Sequence, residues 1–354
     1  MTGHRKLNLG FIGAGFIGQL AHIENYAQLD NCRLAALAER REDLRDSVAR
    51  KYAIPISYAD HQSLLDNPDI DAVVVVTARQ HTAEIVKDCL LSGKHVFSEK
   101  PMASNLETAK SLVQLARKQG LNYCVGYMKR LDQGVIKAKI LFDGLINSNE
   151  IGSLLHVKAT CYMGDSYCKA TGNIESKLPR PPFIEEAQLA PSWLEEDEKP
   201  VFARYNNVYS HLTNLLAYFL ERSPSIEYFN YLSPLSQTCV LNYGHCLATL
   251  NTGEKIQREW EEEIEFIFEK GSLTLSLPPA LLRNVPAKVS LEKAGDEFIK
   301  TKYKSDWSWA FKHQAIEFVS SCLTKTPSVI SADHALTDFE VIENIWKHRS
   351  KSAR

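Results

Sequence analysis

The chain has 354 residues, room for two domains at about 100–200 residues each. Its 44% hydrophobic and 24% charged residues mark a globular chain rather than a disordered one. With 41 Lys and Arg against 43 Asp and Glu, the formal net charge of -2 leaves no broad positive field, which excludes nucleic acid or an anionic membrane as the main partner.

The apolar run 72–76 is far short of the roughly 20 residues a membrane span needs. His4, Arg5 and Lys6 precede an apolar stretch, but it is studded with glycines and has no small-x-small cleavage site, so it reads as folded structure rather than a leader. The eight cysteines are scattered as small hydrophobes, which points to a reducing cytoplasm.

In chain order, a strand over 6–12 runs into Gly13-Ala14-Gly15-Phe16-Ile17-Gly18 and a helix to about Leu29. A second strand over 33–38 ends at Glu39, and a charged helix over 42–51 and a short one near 62–65 follow. The run 71–77, bounded by polar residues, has the pattern of a central parallel strand. A helix over 83–92 stops at Gly93, and a strand over 95–98 follows. Ser104-x-x-Glu107 forms a capping box for a helix ending at Gly120, and a strand over 122–126 closes the series. Strand and helix alternating at these lengths predict an α/β fold with a doubly wound parallel sheet, a Rossmann domain over 1–128.

After about residue 130 the pattern changes. Strands over 156–162, 238–242, 246–250, 259–269 and 288–292, with tight turns at Tyr243-Gly244 and Lys270-Gly271, predict a second domain over 129–354 with a largely antiparallel sheet. Helices are expected at about 211–220 and 309–322, with an irregular, proline-rich insertion over about 164–204. Trp307 and Trp309 read as core. The spacings Cys161-x6-Cys168 and Cys239-x6-Cys246 match no zinc pattern, so no metal is expected.

Gly-x-Gly-x-x-Gly alone says little, but here it follows a strand, opens a helix and precedes an acidic residue, Glu39, 21 positions after Gly18. In a dinucleotide fold Gly13 makes the tight turn, Gly15 lets backbone approach a pyrophosphate, and Gly18 packs helix on sheet. Phe16 and Ile17 complete the loop, and the pyrophosphate would sit on the helix N-terminus. Glu39 can accept from ribose hydroxyls and would repel a 2′-phosphate, which favours NAD, whereas Arg40 and Arg41 favour NADP as the alternative.

Glu99-Lys100-Pro101 follows the 95–98 strand at the sheet's carboxyl edge, where ligands bind. A lysine beside a cationic nicotinamide ring, partly desolvated, can exchange a proton near neutral pH. The stretch from Gly93 through Lys100-Pro101 closely resembles the signature of the glucose–fructose oxidoreductase/inositol dehydrogenase/MocA-like (Gfo/Idh/MocA) family. Gly126-Tyr127-Met128-Lys129-Arg130 resembles its hinge, and Lys270-Gly271-Ser272-Leu273 its second sheet.

The resemblance implies hydride transfer between nicotinamide, with Thr77 and Glu99 beside the cofactor, and a carbon bearing hydroxyl or carbonyl on a sugar or polyol. It also implies a second α/β domain with a large open sheet, and a homo-oligomer, dimer or tetramer. The family's Asp-x-x-x-His corresponds to Asn207-Val208-Tyr209-Ser210-His211, placing His211 as the proton-transfer histidine and Asn207, at i−4 on one helical face, as a substrate contact. Asn207 cannot act as a carboxylate base. Thr77-Ala78-Arg79 departs from the usual Thr-Pro-Asn, so Arg79 is either a substrate anchor or a surface charge, and Tyr209, in place of a glycine, is a substrate-side residue that changes the pocket floor. Arg130 is expected to orient substrate.

The sequence therefore predicts an NAD(P)-dependent oxidoreductase acting at a secondary alcohol or ketone of a sugar, polyol or nucleotide sugar. The alternatives are a silent cofactor-binding regulator on the same fold and an enzyme of NAD-assisted glycoside elimination or hydrolysis.

Overall fold

The computed structural model describes residues 5–165, 167–180, 182–233, 235–254 and 260–352. The chain forms two compact units: Met1–Met128 with Thr171–Ala203 and Phe311–Leu336, and Lys129–Ala170 with Arg204–Ala310 and Thr337–Arg354. The boundary at 128 lies inside the hinge-like Gly126–Arg130 stretch. Most of the irregular segment expected within the second domain, Thr171–Ala203, instead packs with the first, as does Phe311–Leu336.

The first unit is built on six parallel strands: β1 (Leu7–Ile12), β2 (Cys32–Ala38), β3 (Ile56–Tyr58), β4 (Ala72–Val75), β5 (His95–Ser98) and β6 (Tyr123–Val125). Their spatial order is β3-β2-β1-β4-β5-β6, the doubly wound arrangement the alternation predicts. Every residue of β4 is buried, as a strand covered on both faces must be.

Helices α1 (Glu24–Tyr26), α2 (Glu42–Lys51), α3 (His61–Leu65), α4 (Arg79–Leu91) and α5 (Leu106–Gln119) connect the strands. The N-cap of α5 is Asn105, whose side chain accepts from the Thr108 N–H at 2.8 Å. The expected Ser104 cap lies one residue too early. Gly120 ends α5 in the left-handed conformation, φ 65°.

In the second unit eight strands lie in the order β14-β13-β12-β11-β7-β10-β9-β8. They are β7 (Leu154–Met163), β8 (Ser225–Ser233), β9 (Ser236–Asn242), β10 (Leu247–Glu254), β11 (Glu261–Phe268), β12 (Gly271–Ser276), β13 (Lys288–Ala294) and β14 (Phe298–Tyr303). All neighbours are antiparallel except β7 and β10. Glu259, placed by alternation at the start of β11, lies outside the described residues.

The second unit's helices are α6 (Gln133–Ser148), α7 (Lys199–Val208), which begins in the first unit, and α8 (Ser210–Leu220). Phe142 of α6, Phe219 of α8 and Phe266 of β11 meet with centroids 4.7–5.6 Å apart, sealing helices on sheet. Trp309 is core and donates to Ala280 O, but Trp307 is 89% exposed, contrary to the core expected from its apolar surface. Helices α9 (Ala310–Thr324) and α10 (Ala332–Ser352) complete the chain.

A buried ion pair sits under the second sheet. Lys129 Nζ donates to both carboxylate oxygens of Glu262, and Trp260 Nε1 donates to one of them at 3.2 Å. The two charged side chains are 7% and 1% exposed. Replacing only the lysine strands a buried carboxylate, so Lys129→Met is expected to cost about 3–5 kcal/mol. The double change Lys129→Met with Glu262→Leu is expected to recover most of that, as read by urea denaturation.

Candidate active site

The glycine loop departs from β1 with Gly13 at φ 93°. A Cβ added there would stand 2.2 Å from Val76 O, and one at Gly18 2.9 Å from Gly13 O. Only glycine allows both the conformation and the contact. At Gly15 an added Cβ would meet nothing within 4 Å. The loop is thus closed toward the sheet and open on its outer side, where backbone must approach a ligand, and this shape fits a dinucleotide pyrophosphate. Phe16 and Ile17, half-buried, lead into the helix.

That helix is irregular. Gly18–Ile23 is a π-helical turn, in which the Glu24 N–H reaches Gln19 O five residues back. His22, on this turn, is 1% exposed in its side chain and shares a 2.8 Å hydrogen bond with Glu99 Oε1. Its ring packs against Phe97 and Phe311 at 5.4 and 5.5 Å. The other Glu99 oxygen accepts the Lys100 N–H at 3.1 Å. A Cβ at Gly126 would press on the Glu99 carboxylate at 2.9 Å. Glu99 is thereby held from three sides, and the backbone of Lys100 with it. The Lys100–Pro101 peptide is cis.

Glu39, at the end of β2, is buried and accepts four N–H groups, from Ala14 and from the backbone, Nε and Nη2 of Arg41. Burial alone would raise its carboxyl, but the hydrogen bonds from Arg41 and Ala14 outweigh it and hold the group below its ordinary range. Arg40, the expected cofactor contact, is exposed, and the arginine engaged with the carboxylate is Arg41. The pair has a direct bearing on cofactor choice, because Arg41 offsets the charge by which Glu39 would repel a 2′-phosphate. Thr77 and Arg79 follow β4, and the Arg79 guanidinium lies 5.7 Å from the Phe183 ring centroid.

The first unit therefore gathers Gly13, Gly15, Gly18, Glu39, Thr77, Arg79, Glu99 and Lys100 at the carboxyl ends of its strands. Sequence reasoning missed His22 and the dominant role of Arg41. A histidine on a helix beneath a predicted carboxyl edge carries no pattern of its own, because the π turn that aims it has no sequence signature.

In the second unit the helix expected to carry both Asn207 and His211 is interrupted. Asn207 lies in the last turn of α7, Tyr209 makes the break, and His211 lies in the first turn of α8. Asn207 is half-buried and His211 buried. Tyr209 is 1% exposed and donates to Gly253 O at 2.7 Å, so it anchors the break on β10.

Arg130 is 2% exposed and donates to Asn214 Oδ1 and O and to Asp338 Oδ2. These bonds hold the buried guanidinium between α8 and α10. Burial pushes the Asp338 carboxyl up to about 7 despite the opposing pull of Arg130 and Asn214. Asn214 stands one turn beyond His211, so the network fixes the helix that presents the histidine. Among the described residues no group of three or more His, Cys, Asp or Glu could hold a metal ion.

A parallel doubly wound sheet with an open glycine loop, an acidic residue ending β2 and a lysine after β5 defines a dinucleotide-binding fold. Residues 7–127, about a third of the chain, match the model of the Gfo/Idh/MocA oxidoreductase family with an NAD-binding Rossmann fold.

Myo-inositol 2-dehydrogenase of Thermotoga maritima is 32% identical over 133 residues, 38% of this chain and 40% of that protein. The chain thus spans about two fifths of that relative's length. An inositol 2-dehydrogenase/D-chiro-inositol 3-dehydrogenase of Lacticaseibacillus casei is 26% identical, with 91% of this chain and 86% of that protein covered. The fold is shared with an aldose-aldose oxidoreductase of Caulobacter crescentus, solved with glycerol, at TM-score 0.74 and 19% identity, covering 99% of each chain. It is also shared with a 3-ketoreductase of Actinomadura kijaniata, solved with NADP and TDP-benzene, at 0.72 and 17%, covering 96% of each. Among the described residues no helix is long and apolar enough to cross a membrane.

Because Glu39 titrates below its ordinary range when folded, it stabilises the fold above that range and the contribution is lost as pH falls through its lowered value. Glu39→Gln is expected to flatten the fall in stability between about pH 5 and 3, measured by urea titration at each pH.

Proposed function

We propose that the protein is an NAD(P)-dependent oxidoreductase. It moves a hydride between nicotinamide and a secondary alcohol or ketone carbon of a sugar, polyol or nucleotide sugar. The observation that carries this reading is the carboxyl edge of the first sheet, where an open glycine loop and a lysine whose backbone is held by the His22–Glu99 pair share one rim. The inositol and aldose activities named for relatives, and the TDP ligand of one structural neighbour, support the substrate class.

When bound, the nicotinamide supplies the hydride acceptor or donor. The chain's own residues supply the rest. Gly13, Gly15, Phe16, Ile17 and Gly18 cradle the pyrophosphate, with Thr77 and Glu99 nearby, and Glu39 with Arg41 takes the adenosine ribose. Lys100 and His211 carry the alcohol proton, since an amine and an imidazole can each give up and take back a proton at the substrate oxygen. Asn207 hydrogen-bonds a substrate hydroxyl, and Arg79 anchors an anionic or hydroxyl group. NAD is the favoured cofactor. NADP is the alternative that the Glu39–Arg41 pairing supports. Copies of the chain associate, in this proposal, through the open face of the second sheet, where Leu155, Tyr228 and Leu247 are exposed.

Fluorescence titration with NADH and with NADPH tests the cofactor, and binding of neither would overturn the proposal. On the substrate found, Lys100→Ala and His211→Ala are each expected to lower kcat about 10²–10⁴-fold while cofactor binding persists. Tight binding with no turnover on any alcohol or ketone would favour the regulator that Asn207 in place of aspartate allows.

A further inference from the structure

Side chains in the first turns of three helices of the first unit hold one irregular segment, and Lys51 Nζ also donates to Gly172 O at 3.2 Å. Gln19 exchanges two hydrogen bonds with Ile174: its Nε2 donates to Ile174 O at 3.0 Å and its Oε1 accepts the Ile174 N–H at 2.8 Å. The same Nε2 donates to Ala14 O within the glycine loop at 2.7 Å. Asp43, beside the end of β2, accepts the Ser176 hydroxyl at 2.7 Å and the Lys177 N–H at 2.6 Å. Gln80, after β4, accepts the Ile184 N–H at 2.9 Å and donates to Pro182 O at 3.3 Å.

Sheet order decides the path between these anchors. β1 lies between β2 and β4. Ile174, tied by Gln19 to the glycine loop that ends β1, is therefore flanked by an anchor beside β2 at Lys177 and one beside β4 at Pro182, which sets the segment in front of that loop. That loop's outer side is open, with nothing within 4 Å of a Cβ at Gly15. The anchors bond peptide groups and one hydroxyl rather than burying apolar surface. Lys177 and Leu178 are exposed, and Phe183 is 53% exposed. Hydrogen bonds of this kind exchange readily with water, so the segment can lift without disturbing the fold beneath.

We infer that residues 172–180 and 182–184 are a strap that closes over the dinucleotide, so that cofactor enters and leaves only when the strap lifts. This rests on the proposed cofactor site and adds to it a barrier to exchange. It makes Gln19, Asp43 and Gln80 determinants of cofactor residence. Asp43 and Gln80 act through the strap and are assigned no contact with the nucleotide. A ligand whose exit waits on an opening step shows association and release slowed together, each in proportion to the open fraction.

The test uses the full chain and NADH. Stopped-flow fluorescence gives association and displacement rates for wild type and for Asp43→Ala with Gln80→Ala. Both rates are expected to rise tenfold or more in the variant. Release within twofold of wild type overturns the strap while leaving the cofactor site standing. A second measurement needs no variant: trypsin is expected to cut after Lys177 at least tenfold more slowly with saturating NADH, and equal cutting overturns the strap. Failure of wild type to bind NADH or NADPH overturns the strap together with the proposed function.

Discussion

Backbone meets backbone where β1 ends. Gly13 has no room for a side chain because Val76 O occupies the place, and Gly18 has none because Gly13 O does. Through these contacts the turn, the start of the following helix and the end of β4 form one rigid piece. The Ala14 N–H is then aimed at Glu39, and the helix that follows is set at the depth where His22 reaches Glu99. A loop with side chains at either position would have to stand off the sheet, and the links to β2 and β5 would lengthen together.

The second unit solves a different problem, that of fixing a short helix beneath one face of an open sheet. Aromatic packing supplies adhesion without direction. Direction comes from buried polar groups: Arg130 tied to Asn214 and Asp338, Tyr209 tied to Gly253, and Lys129 tied to Glu262. Breaking such a group exposes the cost of an unpaired buried partner, which is why a few polar links can fix a helix that apolar contacts would let rotate.

The first sheet was legible in the sequence because its strands are buried on both faces and punctuated by glycines. The strand 95–98 and the helix 42–51 have the predicted bounds, whereas the three-residue edge strand β3, with two of its residues exposed, leaves no periodic trace. The second unit was legible only in part. Alternation marked β7, β9, β10, β11 and β13, but α6, α7 and α10 were not anticipated. Nor did 171–203 declare its place, because it is held by single polar side chains, and a glutamine or aspartate that bonds another segment's peptide looks like any surface residue. Of the candidate site, the motif glycines, Glu39 and Lys100 could be picked out by type and spacing. His22, the pairing of Arg41 with Glu39 and the break at Tyr209 could not, since each depends on the local path of the chain rather than on composition.

The π turn at Gly18–Ile23 carries one residue more than a regular helix would need over the same rise. Each helical residue turns the chain by about 100°, so removing one residue here would swing His22 away from Glu99 and carry the buried Asn25 and Tyr26 off the faces they now fill. Many of these positions can change type and keep the fold, but their number cannot change. In this part of the chain the geometry is set by length.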